Sequence, residues 1–150
     1  MERISPVDPD KPPDPRPRGE PRPPDPRRAL GRLGEHLAAA HLERLGFTIL
    51  DRNFRTRHGE LDLIVCDDNL IAFVEVKTRR VRAGQRKHSL AVLPLEGLGY
   101  RQRSRQRRLA GIWLQEHSEQ HVRDLRFDAV GVLVDADDRL LRLDHVEGAW

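Results

Sequence analysis

Residues 59–77 read GELDLIVCDDNLIAFVEVK, and this stretch decides the fold because it contains two β-strand patterns in a row. One face of the first strand, residues 60–66, is predicted to carry Leu61, Leu63 and Val65. The second strand, residues 70–77, is apolar on both faces until Glu75 and Lys77 at its end. A strand that is apolar on both faces is covered above and below, so this strand is predicted to be central in a sheet.

Asp68 and Asn69 separate the two strands and determine how their residues pair. Both residue types tolerate the positive φ of a two-residue hairpin turn, and such a turn here pairs residues whose numbers sum to 137. Asp62 then lies opposite Glu75 with β-carbons about 4.5–5.5 Å apart, and like charges in this arrangement destabilise a sheet. A divalent cation between the carboxylates would remove that penalty. A three-residue turn would instead shift the register by one residue and place Asp62 beside Val74.

The two-residue turn also places Glu60 opposite Lys77, so one end of the hairpin would hold three carboxylates and one ammonium group. This combination suits phosphodiester hydrolysis. Carboxylates hold Mg²⁺ together with waters, the ion activates a bound water, and a lysine positions that water or stabilises the developing charge. Lys77 is one of three lysines among 27 basic residues, which favours a specific role for it. A solvated ion pair between Glu75 and Lys77 is the alternative.

An amphipathic helix is predicted to begin at Arg28 and to end before Gly46, which suits a C-terminal cap. Its apolar stripe consists of Leu30, Leu33, Leu37, Ala38, His41, Leu42 and Leu45. At about 100° per residue, Glu35 lies at the margin of the stripe, about 20° from Leu42. A carboxylate in this position can face the edge of the core.

After the hairpin, residues 78–99 are strongly basic and then rich in glycine and leucine, which is typical of a loop. A second helix is predicted over residues 101–117, and strands are predicted over residues 125–134 and 140–146. With a further strand at residues 47–54, the order is helix, three strands, helix, two strands. This order predicts an α/β domain in which a mixed sheet is flanked by helices.

Residues 1–27 form a tail of different composition and contain ten of the eleven prolines. Proline removes backbone donors and blocks helices, so the tail is predicted to be disordered and the folded domain to span residues 28–150. The tail is either a solvated leader or a tether for a partner or nucleic acid, since arginines cluster towards its end. These arginines are Arg16, Arg18, Arg22, Arg27 and Arg28.

The composition excludes several classes of protein. No apolar run approaches the roughly 18 residues of a membrane span, and the N-terminus lacks the apolar stretch of a signal peptide. Neither a membrane protein nor an exported one is therefore expected. Cys66 is the only cysteine, which excludes an intrachain disulfide and a zinc site built from cysteines. The reducing cytoplasm is the expected location.

Six short motifs occur in order along residues 29–150. They are Gly34-Glu35, Arg52-Asn53-Phe54-Arg55, Gly59-Glu60-Leu61-Asp62-Leu63-Ile64, Phe73-Val74-Glu75-Val76-Lys77-Thr78-Arg79, Arg126-Phe127-Asp128 and Ala149-Trp150. Together they resemble the YraN family of uncharacterised bacterial proteins, which is similar to the PD-(D/E)xK nuclease superfamily and, more distantly, to Holliday-junction resolvases. The resemblance implies a restriction-endonuclease-like fold and Mg²⁺-dependent cleavage of nucleic acid.

The resemblance also implies roles for individual residues. Asp62 and Glu75 would be metal ligands, Lys77 the catalytic lysine, and Glu35 the helix carboxylate that completes the site. The implied cofactor is Mg²⁺ or Mn²⁺. Glu60 is a secondary candidate for the same site.

Basic residues are predicted to flank this site, and clustered guanidinium groups suit contacts with phosphates. The candidates for nucleic-acid binding are Arg79, Arg80, Arg101, Arg105 and Arg108. The YraN family usually has a lysine near Arg105, where arginine would keep phosphate binding without proton transfer. Aromatic residues are only 5% of the chain, too few for base stacking along a single strand, so duplex or branched DNA is favoured. A solvated arginine-rich helix face is the alternative.

The favoured interpretation is a cytoplasmic, metal-dependent endonuclease acting on DNA, and a homodimer would suit an enzyme that cuts two strands. A binding module that keeps the fold and the basic cleft without cleaving, as an accessory in DNA repair or uptake, is the competing interpretation. A scaffold that binds proteins through the proline-rich tail has support from composition alone.

Overall fold

The computed structural model describes residues 23–82, 99–120 and 124–150, which form two helices and five strands in the predicted order. The helices are α1 (Pro26–Arg44) and α2 (Tyr100–Glu116), and the strands are β1 (Thr48–Thr56), β2 (Gly59–Cys66), β3 (Leu70–Arg80), β4 (Asp124–Val134) and β5 (Leu140–Val146). Of the predicted disordered tail, residues 1–27, and the predicted loop, residues 78–99, the parts over residues 1–22 and 83–98 lie outside the described residues. Neither described helix is long and apolar enough to cross a membrane.

The five described strands form one mixed sheet in the order β1-β2-β3-β4-β5. Pairing is antiparallel except between β3 and β4, which are parallel. A parallel pair requires a crossover connection, and α2 lies in it. β3 is the middle strand, and six successive residues of it, from Ile71 to Val76, are buried, as its apolar pattern predicted. The predicted α/β architecture is confirmed.

Each face of the sheet is covered by one of the two described helices, as predicted. On the α1 face the buried residues are Ala38, Ala39, Leu42, Leu63, Val65, Ala72, Val74, Val76, Val130, Val132 and Val134. On the α2 face they are Leu61, Ile64, Ile71, Phe73, Leu109, Ala110 and Trp113. Burial of apolar surface on both faces therefore determines where α1 and α2 lie relative to the ends of β2 and β3.

The β2–β3 hairpin has the predicted register. Its ladder runs from Cys66–Ile71 to Leu63–Val74, and in every pair the residue numbers sum to 137. The ladder ends at Leu63–Val74, one position before Asp62 and Glu75. These two residues are therefore neighbours at the end of the hairpin without being a backbone pair.

The hairpin turn differs from the prediction, because neither Asp68 nor Asn69 has a positive φ. The Asp67 carboxylate accepts hydrogen bonds from the backbone N–H groups of Asn69 and Leu70 at 2.8 and 2.9 Å. A side-chain acceptor thus stabilises a tight turn with ordinary backbone angles. The number of turn residues, which sets the register, is still two.

A backbone irregularity lies between β1 and β2. Asn53 has a φ of 53°, a left-handed conformation that asparagine tolerates better than most residues. The β1–β2 ladder pairs Arg52 with Leu63 and Phe54 with Leu61, but it does not include Asn53 and the opposite residue, Asp62. Beside this irregularity, Leu61 packs on the α2 face while Leu63 packs on the α1 face, so the predicted shared face of these two residues is wrong. Asp62 is thus outside the backbone ladders on both of its sides.

α1 begins at Pro26, two residues earlier than predicted, because proline is compatible with the first turn of a helix. The Asp25 carboxylate caps this end by accepting from the Arg27 N–H at 3.0 Å. At the other end, Gly46 has a φ of 95° and follows the helix as the predicted cap. The predicted burial of Leu45 is wrong, since this residue follows the last helical turn and is 54% exposed.

Candidate active site

Asp62 and Glu75 lie next to each other where β2 and β3 stop pairing. Asp62 is 8% exposed and Glu75 is 6% exposed, so both carboxylates are almost fully buried. The backbone N–H of Val76 donates to Asp62 Oδ2 at 2.8 Å. If the β2–β3 ladder continued, a backbone carbonyl of β2 would accept this hydrogen bond instead. The Asp62 side chain therefore completes the hydrogen bonding of β3, with one of its two oxygens committed to that contact.

Glu75 is surrounded by donors. Lys77 Nζ lies 2.7 Å from Glu75 Oε1, and Gln102 Nε2 donates to the same oxygen at 3.3 Å. Gln106 Nε2 donates to Glu75 Oε2 at 3.1 Å. The two glutamines were not predicted from the sequence, although Gln106 shares the buried stripe of α2 with Leu109. A polar residue within an apolar stripe indicates a buried hydrogen-bond partner, and that signal could have identified Gln106.

A cavity of about 370 Å³, here called the site cavity, lies between α1, α2 and the ends of β2 and β3. Its lining consists of Glu35, Gly59, Glu60, Asp62, Glu75, Val76, Lys77, Gln102, Arg105 and Gln106. The structure therefore brings all four residues predicted for metal binding and catalysis to one place. Helices from both faces of the sheet reach this cavity because it lies beyond the covered core, at the ends of β2 and β3.

Glu35 reaches the site cavity because α1 lies very close to β3. A β-carbon placed on Gly34 would be 1.6 Å from Thr78 Oγ1 and 2.7 Å from Thr78 Cβ, so a larger residue does not fit. Glycine inside a helix costs about 0.5–1 kcal/mol relative to alanine. The close approach to Thr78 explains why this helix has glycine there. In the motif Gly34-Glu35, the first residue sets the distance between helix and strand and the second supplies a carboxylate.

The pKa of Asp62 is raised to about 8, chiefly by burial and then by the neighbouring Glu75 charge. Glu35 acts in the same direction with a smaller effect. The Val76 N–H and the Lys77 ammonium lower the pKa but do not cancel the burial. The ionised form of Asp62 is therefore poorly compensated by the residues around it.

The donor chemistry of the site fits a hard cation such as Mg²⁺, which proteins usually hold through one or two carboxylates with waters completing the octahedron. Asp62 and Glu75 supply two carboxylates. Within the described ranges, no three carboxylate, imidazole or thiol groups are gathered closely enough to enclose an ion. Glu35 lines the cavity without joining a closed ligand set. A cation held by Asp62 and Glu75 would thus remain accessible to water and substrate.

The family model described as "Uncharacterised protein family UPF0102" matches residues 34–132, a range that includes every residue of the site cavity. The chain belongs to family UPF0102. UPF0102 is the YraN family, so the resemblance predicted from the motifs is confirmed.

Three UPF0102 relatives match most of the chain. The protein of Acidothermus cellulolyticus is 42% identical over 134 residues, covering 83% of this chain and 95% of the relative. That of Pelotomaculum thermopropionicum is 43% identical over 126 residues, covering 84% and 98%. That of Frankia casuarinae is 46% identical over 123 residues, covering 81% and 96%. All three are named as UPF0102 proteins, so this similarity shows the family and leaves the activity to be argued from the site.

Arg105 of this UPF0102 chain, predicted to bind phosphate, lines the site cavity. Its Cδ would lie 3.2 Å from a β-carbon on Gly59, so glycine at the start of β2 leaves room for the arginine stem. Arg101 and Arg108 are exposed and lie four residues before and three residues after Arg105. That spacing places the three guanidinium groups on one side of α2.

Arg79 and Arg80 belong to β3, which runs three residues further than predicted, so the predicted loop over these residues is wrong. Arg80 forms an ion pair with Asp138, which lies between β4 and β5. Arg79 is exposed and lies two residues after Lys77, on the same side of the strand. Of the two arginines, Arg79 is therefore the better placed for a phosphate contact.

Glu60 lines the site cavity, but its carboxylate is engaged elsewhere. Arg55 Nε lies 3.0 Å from Glu60 Oε2, and the Glu60 side chain is 47% exposed. The predicted pairing of Glu60 with Lys77 is wrong, because the β2–β3 ladder ends before these residues and Lys77 pairs with Glu75.

A second buried aspartate, Asp128 of β4, lies outside the site cavity and is fully enclosed. Arg126 contacts both of its oxygens, with Nε–Oδ1 at 2.7 Å and Nη2–Oδ2 at 2.8 Å. His145 Nε2 lies 2.9 Å from Oδ2, and the Gly148 N–H donates to Oδ1 at 3.0 Å. Burial acts to raise the pKa of Asp128, but the hydrogen bonds from His145, Arg126 and Gly148 outweigh it, and the pKa is lowered. In this UPF0102 chain the motif Arg126-Phe127-Asp128 therefore connects β4 to β5 and the C-terminus.

Proposed function

We propose that this UPF0102 protein is a Mg²⁺- or Mn²⁺-dependent endonuclease that hydrolyses phosphodiester bonds in duplex or branched DNA. The observation that carries the proposal is the pair of nearly buried carboxylates, Asp62 and Glu75, in an open cavity that also holds Lys77 and Arg105. Two adjacent buried carboxylates are unfavourable when both are ionised, and a divalent cation bound between them removes this penalty.

Each side chain in the cavity has a role that follows from its position. Asp62 and Glu75 would hold the cation, which when bound lowers the pKa of a water and neutralises phosphate charge. Lys77 is 38% exposed, so its ammonium can reach the attacking water or a phosphate oxygen. Glu35 would hold a water on the α1 side of the cavity. Arg105 would bind a phosphate oxygen on the α2 side.

Gln102 and Gln106 would position Glu75 for metal binding. Each donates to a different oxygen of the carboxylate, which restricts the rotation of the group. Outer partners of this kind orient ligating carboxylates in metal sites. Because both glutamines are neutral, they orient Glu75 without cancelling the negative charge that a cation requires.

Cleavage assays on a four-way junction, a linear duplex and a single strand, with and without Mg²⁺ or Mn²⁺, test the proposal. The wild-type protein is expected to cut the junction or the duplex only when metal is present. Glu75→Gln and Lys77→Met are each expected to reduce the rate about a hundredfold or more. Glu43→Gln makes the same change at an exposed glutamate of α1 outside the cavity and is expected to match the wild type. Cutting that needs no metal, or that survives both site substitutions, would contradict the proposal.

A binding module that does not cleave is the second candidate, and one contact favours it. The Lys77 ammonium, 2.7 Å from Glu75, already compensates that carboxylate without a metal. Such a module would act as an accessory protein in DNA repair or uptake. Binding of the junction or duplex in a gel-shift assay, with no cleavage in either metal, would support this candidate over the nuclease.

We further propose that the protein acts in the cytoplasm, where its only cysteine, Cys66, would remain a thiol. A homodimer would allow two site cavities to act on the two strands of a duplex. Analytical ultracentrifugation with and without DNA measures this directly, and a monomer in both conditions would exclude paired cutting by a stable dimer.

A further inference from the structure

A second cavity, of about 840 Å³, adjoins the site cavity on the side of α1 and β1. Glu35, Gly59 and Glu60 line both cavities, so the two are continuous. We call the second cavity the α1 groove. Four arginines line it: Arg27, Arg28 and Arg32 of α1 and Arg55 of β1. From the sequence, Arg27 and Arg28 were placed where the tail meets the helix, and none of the four arginines was predicted to line a groove.

The positive charges of the α1 groove exceed the negative charges available to them. Arg55 is paired with Glu60 at 3.0 Å. Arg27, Arg28 and Arg32 are exposed, and no ion pair joins them to another residue in the described part of the chain. Three guanidinium groups therefore face the groove without a fixed counter-charge.

The position of these arginines is unfavourable for the helix itself. The first turn of α1 contains no acidic residue, and positive side chains interact unfavourably with the positive end of a helix dipole. Arg28 and Arg32 are four residues apart and repel each other across one turn. The Asp25 carboxylate offsets part of this, but it is engaged in capping the backbone. A polyanion lying in the groove would convert both repulsions into attraction.

We propose that the α1 groove binds the phosphate backbone of a nucleic acid on the side of the scissile bond opposite α2. This inference rests on the proposed function and extends it to the path of the substrate. The backbone would run along Arg28 and Arg32, pass the carboxylates of the site cavity and continue beside Arg105. Because α1 and α2 cover opposite faces of the sheet, the substrate has to be a polynucleotide long enough to contact both helices. Contacts of this kind fix position and are independent of sequence.

Separate measurements of binding and cleavage on the full-length protein test the inference. The probe is a fluorescein-labelled DNA duplex of about 30 base pairs, roughly three helical turns. Fluorescence anisotropy in EDTA, over about 50 to 300 mM salt, gives Kd and its salt dependence. The variants are Arg28→Gln, Arg32→Gln and the double variant. The matched control is Arg44→Gln, which removes the same charge from an exposed position at the other end of α1.

Each groove substitution is expected to weaken binding about eightfold at 0.1 M salt and to reduce the slope of log Kd against log salt by about 0.9. The double variant is expected to show about twice the change in slope, and Arg44→Gln none. The melting temperature of the groove variants should equal or exceed that of the wild type, because the substitutions relieve repulsion within α1.

Unchanged affinity and salt slope in Arg28→Gln and Arg32→Gln would overturn the inference. An equal loss in Arg44→Gln would also overturn it, because net charge alone would then explain the effect. These results are distinct from failure of the proposed function. If the groove variants bind DNA more weakly but the wild-type protein never cuts it, the groove is supported and the nuclease is refuted. If the protein cuts DNA with metal and the groove variants bind as tightly as the wild type, the nuclease is supported and the groove is refuted.

Discussion

Asp62 and Asp128 are buried in the same sheet, yet their surroundings differ in kind. Asp128 accepts a bidentate pair of hydrogen bonds from the Arg126 guanidinium, together with hydrogen bonds from the His145 imidazole and the Gly148 N–H. Its pKa is lowered in spite of burial. Asp62 accepts from one backbone N–H and lies beside a second carboxylate, and its pKa is raised to about 8. The two residues are of the same type and belong to one small sheet, yet the pKa is raised for Asp62 and lowered for Asp128.

This difference distinguishes a structural carboxylate from a candidate functional one. At Asp128 the protein itself supplies the compensation for the buried charge, so the group stabilises the fold as it stands. At Asp62 the compensation is incomplete, and a bound cation would supply it. Strongly perturbed carboxylates in a cleft are typical of functional sites for this reason. Burial alone would have placed both residues in one class, and the hydrogen-bond partners separate them.

The same substitution at both positions tests this contrast most strongly. Asp128→Asn removes the buried counter-charge of Arg126, whose other carboxylate partner, Glu147 at 3.4 Å, is 59% exposed, and breaking a buried pair in this way costs about 3–5 kcal/mol. Asp62→Asn removes a poorly compensated charge and keeps an oxygen for the Val76 N–H, so the free energy of unfolding at pH 8 should equal or exceed that of the wild type. Urea unfolding in EDTA measures both. A similar decrease in the free energy of unfolding for the two variants would contradict the difference between Asp62 and Asp128.

A smaller loss is expected when the approach of α1 to the site is disturbed. Gly34→Ala forces a β-carbon into Thr78, and overpacking of this kind costs about 1–3 kcal/mol. Gly31→Ala is the matched control in the same helix, because nothing lies within 4 Å of its β-carbon position, and it should gain up to about 1 kcal/mol. Thermal unfolding measures both, and cleavage assays on Gly34→Ala report whether displacing Glu35 impairs the site. Equal stability of the two variants would contradict the close contact.

The two aspartates should also give opposite dependence of stability on pH. Asp62 has a raised pKa, so its contribution is fully present below the ordinary value of 3.8 and is lost as pH rises towards 8. Asp128 has a lowered pKa, so its contribution is present above 3.8 and is lost as pH falls below that value. One proton corresponds to a slope of up to about 1.4 kcal/mol per pH unit.

Unfolding of the metal-free protein from acidic to mildly alkaline pH measures these slopes. Asp62→Asn should remove the fall in stability between about pH 4 and 8, and Asp128→Asn should remove the loss at acidic pH. An unchanged profile in Asp62→Asn would show that this carboxyl titrates in its ordinary range.

The smallest effect is expected at the neutral partners of Glu75. Gln106→Leu, with little change in volume, removes the donor to Glu75 Oε2 and a longer 3.5 Å contact to the Glu60 carbonyl oxygen, and it should cost about 1 kcal/mol. Isothermal titration should show Mg²⁺ affinity weakened about tenfold, as for other partners that orient a ligand. Gln102→Leu, at a longer 3.3 Å contact, should do less. Unchanged Mg²⁺ affinity in Gln106→Leu would show that this residue is structural and does not position a ligand.

Local pattern carried the prediction of the β2–β3 hairpin. A turn of two residues, Asp68 and Asn69, between two strand patterns predicted its register, because a hairpin is formed by neighbours in sequence. The turn angles were wrong, since the Asp67 side chain stabilises a conformation that positive φ was expected to provide. The register follows from the number of turn residues and was insensitive to that error.

Features that depend on several elements were predicted poorly. Leu61 and Leu63 pack on opposite faces where the β1–β2 ladder is irregular, and the partner of Glu60 depends on where the β2–β3 ladder ends. Gln106 contacts Glu75 only because α2 packs against the sheet, although the two residues are 31 positions apart along the chain. None of these contacts produces a periodic pattern of residues from which it could be predicted.

By itself, the sequence determined the order of helices and strands, the central place of β3 and the grouping of Asp62, Glu75 and Lys77 at one end of a hairpin. It could do so because hydrophobic period and turn length act over a few residues. Only the tertiary structure decided that two glutamines join that group, that Asp62 is poorly compensated while Asp128 is not, and that arginines of α1 line an adjoining groove. Those properties depend on how closely α1 and α2 approach the sheet, which burial of the two apolar clusters sets across the whole domain.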